Sequence, residues 1–175
     1  GNGHVGTLTG ATYVNDSEKG GRKAVAFSGP TSWQAVIIRN SSDLSSGEFT
    51  ACAFVKFDSF GTASRHVLSQ QDGSGTGRSW LYASADGGAN FNLATFIGGS
   101  EKKGITTLVA GKFYHATIRF DGANVELFLD GQSEGSWAVT PESANGDFVW
   151  GRHKTNEIQT LDGLTDSLLI HDYAL

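Results

Sequence analysis

The sequence predicts an all-β fold, a sandwich or barrel of many short strands, on three observations. Glycine is abundant at 24 of 175 residues while proline is scarce at 2, and Val, Ile, Thr, Phe and Trp are frequent relative to strong helix formers. Short runs of alternating or apolar residues recur at close intervals, separated by turn-forming clusters. No stretch sustains the three-to-four spacing of an amphipathic helix with a cap at each end. Helix content is therefore expected to be very small, with one turn at most around Ser41 to Ser45.

Taken in order, strands are expected at 7–14, 23–28, 33–38, 49–57, 65–70, 78–84, 89–96, 105–109, 113–120, 123–129, 147–152 and 163–171. The turn clusters 72–77, 86–88 and 98–100 separate the middle ones. The segment from Phe113 to Gly131 is the most explicit. Tyr114, Ala116, Ile118 and Phe120 alternate with polar neighbours, Val125, Leu127 and Leu129 do the same, and Asp121-Gly122 between them supplies the positive-φ turn of a tight hairpin. The run 49–57 is apolar and encloses Cys52, which reads as a small buried hydrophobe that closes no disulfide.

Length and the short loops predict one domain over residues 1–175, large enough to bury its own core. The formal charge of −5 argues against nucleic acid, whose binding rests on clustered Lys and Arg. No apolar run approaches the length of a membrane span and no signal peptide is seen at either end, so no membrane insertion is expected. A start at Gly1 with no methionine in the chain suggests a module cut from a longer polypeptide.

Several segments in order resemble the laminin-G-like, concanavalin A-like lectin/glucanase jelly rolls. The opening Gly1-Asn-Gly-His-Val-Gly-Thr-Leu is similar to that family's first motif, and Gly21-Arg-Lys-Ala-Val-Ala-Phe-Ser-Gly to its next strand. Phe49-Thr-Ala-Cys-Ala-Phe-Val-Lys is similar to its "Phe-Thr-Ile-Ser-Ala-Trp-Val-Lys" strand, and the hairpin around Asp121-Gly122 to its "Asp-Gly … Asp-Gly" segment. The close, from Leu161 to Leu175, resembles "Phe-x-Gly-x-Ile-Asp-Glu-Val-Arg-Ile-Tyr-Asn-Arg-Ala-Leu". Phe54 and Phe113 stand where the family has Trp, and Ser167 where it has Glu. The resemblance implies a two-sheet antiparallel β-sandwich better known for binding sugars than for cutting them. It also implies a structural calcium ion between the opening loop and the closing strand, with Asn2 and Asp166 at matching positions and Asp162 nearby.

An enzyme of this fold needs its own chemistry. Paired carboxylates at glycosidase spacing are not evident: the nearest acids, Glu157, Asp162 and Asp166, sit in a loop and beside a turn. The Arg, Gln, His and Tyr set of the fold's lyases is not evident either. No nucleophile elbow, phosphate loop or paired-Cys zinc site is present.

Binding has better support. If Leu81 and Ala83 face the core, Arg78, Trp80 and Tyr82 face outward; if Phe91 and Leu93 face the core, Asn90 and Asn92 face outward. Aromatic rings that stack on sugar C–H faces, beside Asn, Gln, Arg and Asp that bond hydroxyls, form a carbohydrate-binding set. His115 and Arg119 would point one way on neighbouring strands, Gln71 and Asp72 lead into the loop before Arg78, and Trp150 and Arg152 are rim candidates. Convergence of Arg78, Arg119 and Arg152 would favour an acidic glycan. The reading is a non-catalytic carbohydrate-binding module, probing a glycan or polysaccharide, monomeric, tethered to other domains, and secreted or at the cell surface. A protein-interaction or spacer domain without a sugar site, and a small glycoside hydrolase or polysaccharide lyase, are the alternatives.

Overall fold

Alternation along a strand buries every second side chain, and β5, Phe49–Phe57, shows the consequence most plainly: Phe49, Ala51, Ala53, Val55 and Phe57 are fully buried in the core. The structure is a computed structural model and describes residues 5–16, 21–29, 33–39, 47–70, 78–86, 89–142, 146–153 and 155–175, apart from the side chains of Asp16, Arg22 and Glu157. In chain order its strands are β1 Gly6–Thr9, β2 Thr12–Asp16, β3 Arg22–Ser28, β4 Ala35–Ile38, β5, β6 Arg65–Gln70 and β7 Ser79–Ala85. They continue as β8 Phe91–Ile97, β9 Ser100–Thr107, β10 Phe113–Phe120, β11 Asn124–Leu129, β12 Gln132–Ala138, β13 Phe148–Trp150 and β14 Asp162–His171.

These strands form two sheets of seven, ordered β1-β4-β13-β6-β7-β8-β9 and β12-β11-β10-β5-β14-β3-β2. Every pairing between named strands is antiparallel. The fold is thus the expected all-β sandwich. The one helical element among the described residues is a single 3-10 turn, Glu157–Gln159; the turn expected at 41–45 lies outside the described residues.

The register carries the β5 pattern outward. Ala51 pairs with Ile118 and Phe49 with Phe120; Ile118 pairs in turn with Leu127 and Phe120 with Val125. All six are in the core between the sheets. Aromatic rings join the two layers: Trp80 of the first sheet lies 4.0 Å from Phe49 of the second and 4.8 Å, edge-on, from Phe148. Offset and edge contacts of this kind add about 0.5–1.5 kcal/mol to the area they bury. Cys52 is buried and free, as expected, but on the outer side of β5, and burial pushes its thiol up.

Some boundaries differ from expectation, each for a local reason. The run 7–14 is two strands, because Gly10 at φ 68 turns the chain from one sheet to the other. Strand β9 begins at Ser100 rather than 105. Strand β12, which was not expected, is polar and Gly-interrupted, with only Glu134 buried. The hairpin is as read: Gly122 has φ 92, and Asp121 Oδ1 accepts from the amides of Ala123 at 2.9 Å and Asn124 at 2.7 Å. Those two bonds, Asn124 first, hold the Asp121 carboxyl below its ordinary value.

The edges of the sandwich are joined by different means. At one, Gly10 and Ala11 alone link β1 of the first sheet to β2 of the second. At the other, β9 slips against β8, taking four steps between Lys103 and Thr107 where β8 takes two between Asn92 and Ala94. The bulge leaves amides without ladder partners, and Glu134 of β12 receives them. Its Oε2 accepts from Ile105 N and Thr106 N, each at 2.8 Å, and its Oε1 from Thr106 Oγ1 at 2.7 Å. Gly104 is required there, since a Cβ would lie 2.6 Å from Glu134 Oε2.

Candidate functional site

The outer face of the first sheet is set by two bulges. Pairing of β6 with β7 runs His66 to Tyr82, then Leu68 to Leu81, then Ser69 to Ser79, so each strand carries one extra residue. A bulge turns two consecutive side chains to one side. Trp80 and Leu81 both enter the core as a result, and Trp80 is 1% exposed. This corrects the outward orientation expected of Trp80: simple alternation fails where the ladder slips. Past the bulge the expected phase returns. Tyr82 and Ser84 lie on the outer face, while Ala83 lies in the core.

On that face the Tyr82 ring stacks on His66 at 4.7 Å with planes 3° apart, and His153 meets His66 edge-on at 4.8 Å. Tyr82 and Ser84 donate their hydroxyls to Glu101 Oε1 at 2.8 and 2.6 Å. Lys103 Nζ lies 3.3 Å from Glu101 Oε2 and also donates to the Ala85 carbonyl. Asn92 pairs across from Ser84 and Thr107, and Phe96, opposite Glu101, is exposed. Burial alone would raise the Glu101 carboxyl, but the hydroxyls of Ser84 and Tyr82 and the Lys103 ammonium offset it and hold the group below its ordinary value. Burial, and then the Glu101 carboxylate, pushes the Tyr82 phenol far up. Burial, with His153 beside it, holds His66 well below 6.5, so its imidazole is neutral.

A rim site adjoins this face. The Arg152 guanidinium lies 4.6 Å over the ring of Trp33, which is 52% exposed. Arg152 Nη1 donates to the His153 carbonyl at 3.0 Å, and the Arg152 carbonyl accepts from buried Ser69 Oγ at 3.0 Å. Gly151 N, one residue earlier, bonds Val67 O at 2.8 Å. Burial lowers the Arg152 pKa, yet a guanidinium stays charged.

The other expected site residues divide among several places. Tyr82 and Asn92 are on the outer face but nearly buried; Asn90 is exposed in the turn before β8. Arg78 is buried just before β7, donating to the Glu142 carbonyl, and burial lowers its pKa while Glu142 opposes the shift. Trp150 packs against the core rather than standing at the rim, because it pairs with core residues Val36 and Leu68. His115 and Arg119 do share one direction, but on the second sheet, facing away from Tyr82. There the His115 ring lies tilted against Phe54 at 4.8 Å, and Arg119 bonds Glu126 and the Leu175 carbonyl. Arg78, Arg119 and Arg152 therefore do not converge. Gln71 and Asp72 lie outside the described residues.

The calcium expectation rests partly on Asn2, also outside the described residues. Asp162 and Asp166 are four residues apart on β14, about 13 Å along an extended strand, too far for both to ligate one ion. Asp162 is already engaged, accepting from Ser59 Oγ at 2.5 Å. Among the described residues no cluster of three or more His, Cys, Asp or Glu is arranged to hold a metal. The two carboxylates thus do not fit a shared ion.

Glu101, Ser84, His66, Lys103 and Trp33 are the site residues that sequence reasoning missed. Alternation could have flagged Ser84 beside Tyr82; the rest depend on which strands become neighbours.

Solved structures share this fold. Domain 4 of AbnA, a GH43 extracellular arabinanase from Geobacillus stearothermophilus solved with arabinotriose, matches with a TM-score of 0.71 at 19% identity, over 97% of this chain and 83% of that one. Trypanosoma rangeli sialidase in complex with sialic acid matches with a TM-score of 0.72 at 14% identity, over 99% of this chain but 28% of the sialidase. The heptameric SAP-like pentraxin of Limulus polyphemus matches with a TM-score of 0.58 at 18% identity, over 73% of this chain and 65% of that one. No curated protein sequence matches the chain. A family model described as the concanavalin A-like lectin/glucanases superfamily matches residues 30–175.

Proposed function

The chain belongs to the concanavalin A-like lectin/glucanase superfamily, and from that premise we propose that it is a non-catalytic carbohydrate-binding module acting through the outer face and rim of its first sheet. The observation that carries this reading is Glu101, a half-exposed carboxylate fixed by Tyr82, Ser84 and Lys103 on a face that also bears Asn92 and Phe96. A carboxylate of fixed direction accepts from paired sugar hydroxyls, and neighbouring rings receive the C–H faces. The exposed Trp33 extends that surface at the rim.

The same carboxylate does not suit the acid role of a glycosidase. A glycosidase acid needs its pKa raised to hold a proton near neutrality, whereas Glu101 is held low. The role is to keep an attached domain near its glycan, which raises effective concentration rather than doing chemistry, in a monomeric, tethered, secreted or surface protein. A protein-interaction or spacer role is the second reading, favoured by the near-complete burial of His66, Tyr82 and Asn92.

The test is a glycan array followed by tryptophan fluorescence titration with each hit. Hits whose affinity falls about tenfold in Glu101→Gln support the proposal. An array without hits leaves the spacer reading.

A further inference from the structure

We propose that this site selects a sugar unit bearing a carboxylate, its ring against Trp33 and its carboxylate on the Arg152 guanidinium; the inference rests on the glycan-binding reading above. Trp33 combines an exposed indole with a guanidinium in contact with it at 4.6 Å. The guanidinium covers one face of the indole, so a sugar on the exposed remainder of the ring lies near a permanent positive charge.

The guanidinium is held in place before any ligand arrives. The Arg152 carbonyl is bonded by Ser69, the preceding Gly151 amide by Val67, and the guanidinium itself by the His153 carbonyl. His153 in turn packs edge-on against buried His66. Such preorganisation removes much of the ordering cost of binding. A planar donor fork suits a carboxylate better than it suits isolated hydroxyls, and partial burial strengthens the pairing. The net charge of −5 opposes a dense polyanion at long range. The ligand is accordingly one acidic unit in a short segment, of the uronic or the sialic type.

Calorimetric titration with a neutral oligosaccharide bearing a single glucuronate unit, its carboxyl-reduced counterpart and a sialylated oligosaccharide tests this. Binding of either acidic probe, about tenfold weaker in Arg152→Gln and also in Trp33→Ala, is the expected result, with melting midpoints close to the parent's. For the uronic arm, carboxyl reduction produces the same loss; the sialylated arm is compared with its desialylated form. Should Arg152→Gln fail to fold, the reduced and desialylated probes on the unmodified protein decide the matter. Equal affinity for acidic and neutral partners, or hits confined to neutral glycans, overturns the carboxylate selection and leaves glycan binding standing. No binding to any glycan overturns both.

Discussion

Trp80 fills the space between Phe49 and Phe148, so Trp80→Ala is expected to cost about 3–5 kcal/mol, read as a lower denaturant midpoint. Trp33, half open to solvent and touching Arg152, is expected to behave oppositely: Trp33→Ala leaves the midpoint nearly unchanged and removes the ligand-sensitive part of the fluorescence. His66 supplies a pH dependence. Its folded pKa lies below the unfolded value of 6.5, so the unfolded chain binds the extra proton, and stability present above pH 6.5 is lost as the pH falls below it. His66→Phe, which keeps the stack on Tyr82, should flatten the melting midpoint between about pH 7 and 5. Whether an indole faces in or out was legible from alternation only where the ladder is regular. Trp80 sits on a bulge, which a single strand's pattern does not reveal.

Among elements, β5, β6 and β10 have the ends that their apolar patterns indicate, because each has one face in the core. The polar edge strand β12 gave no such pattern; what holds it is pairing with β11 and the reach of Glu134 to β9. Glu134→Ala would strand two bulge amides and is expected to destabilise by about 3 kcal/mol, checked by chemical denaturation. Gly163 is the backbone counterpart. At φ 148 it brings β14 against the Lys56 carbonyl, where a Cβ would collide, so Gly163→Ala should yield little soluble protein.

At the scale of the molecule, the layered fold was legible from turn chemistry, period-two patterning and family resemblance together. The site was less so. Tyr82 and Asn92 were found because they lie on adjacent strands, but β13 inserts between β4 and β6 and brings Arg152 beside Trp33 across more than a hundred residues. Chain order similarly hid that His115 and Arg119 face away on the other sheet. If the first sheet alone carries the ligand, His115→Ala, which removes a ring packed against Phe54, should leave the affinity for array hits intact. The opposite margins of the molecule also differ in how they give way. A covalent corner at Gly10 cannot part without the whole chain moving, whereas the far hem is sewn by hydrogen bonds, three of them to Glu134. Transient gaping starts there, and deuterium should reach the Ile105 and Thr106 amides before it reaches β5.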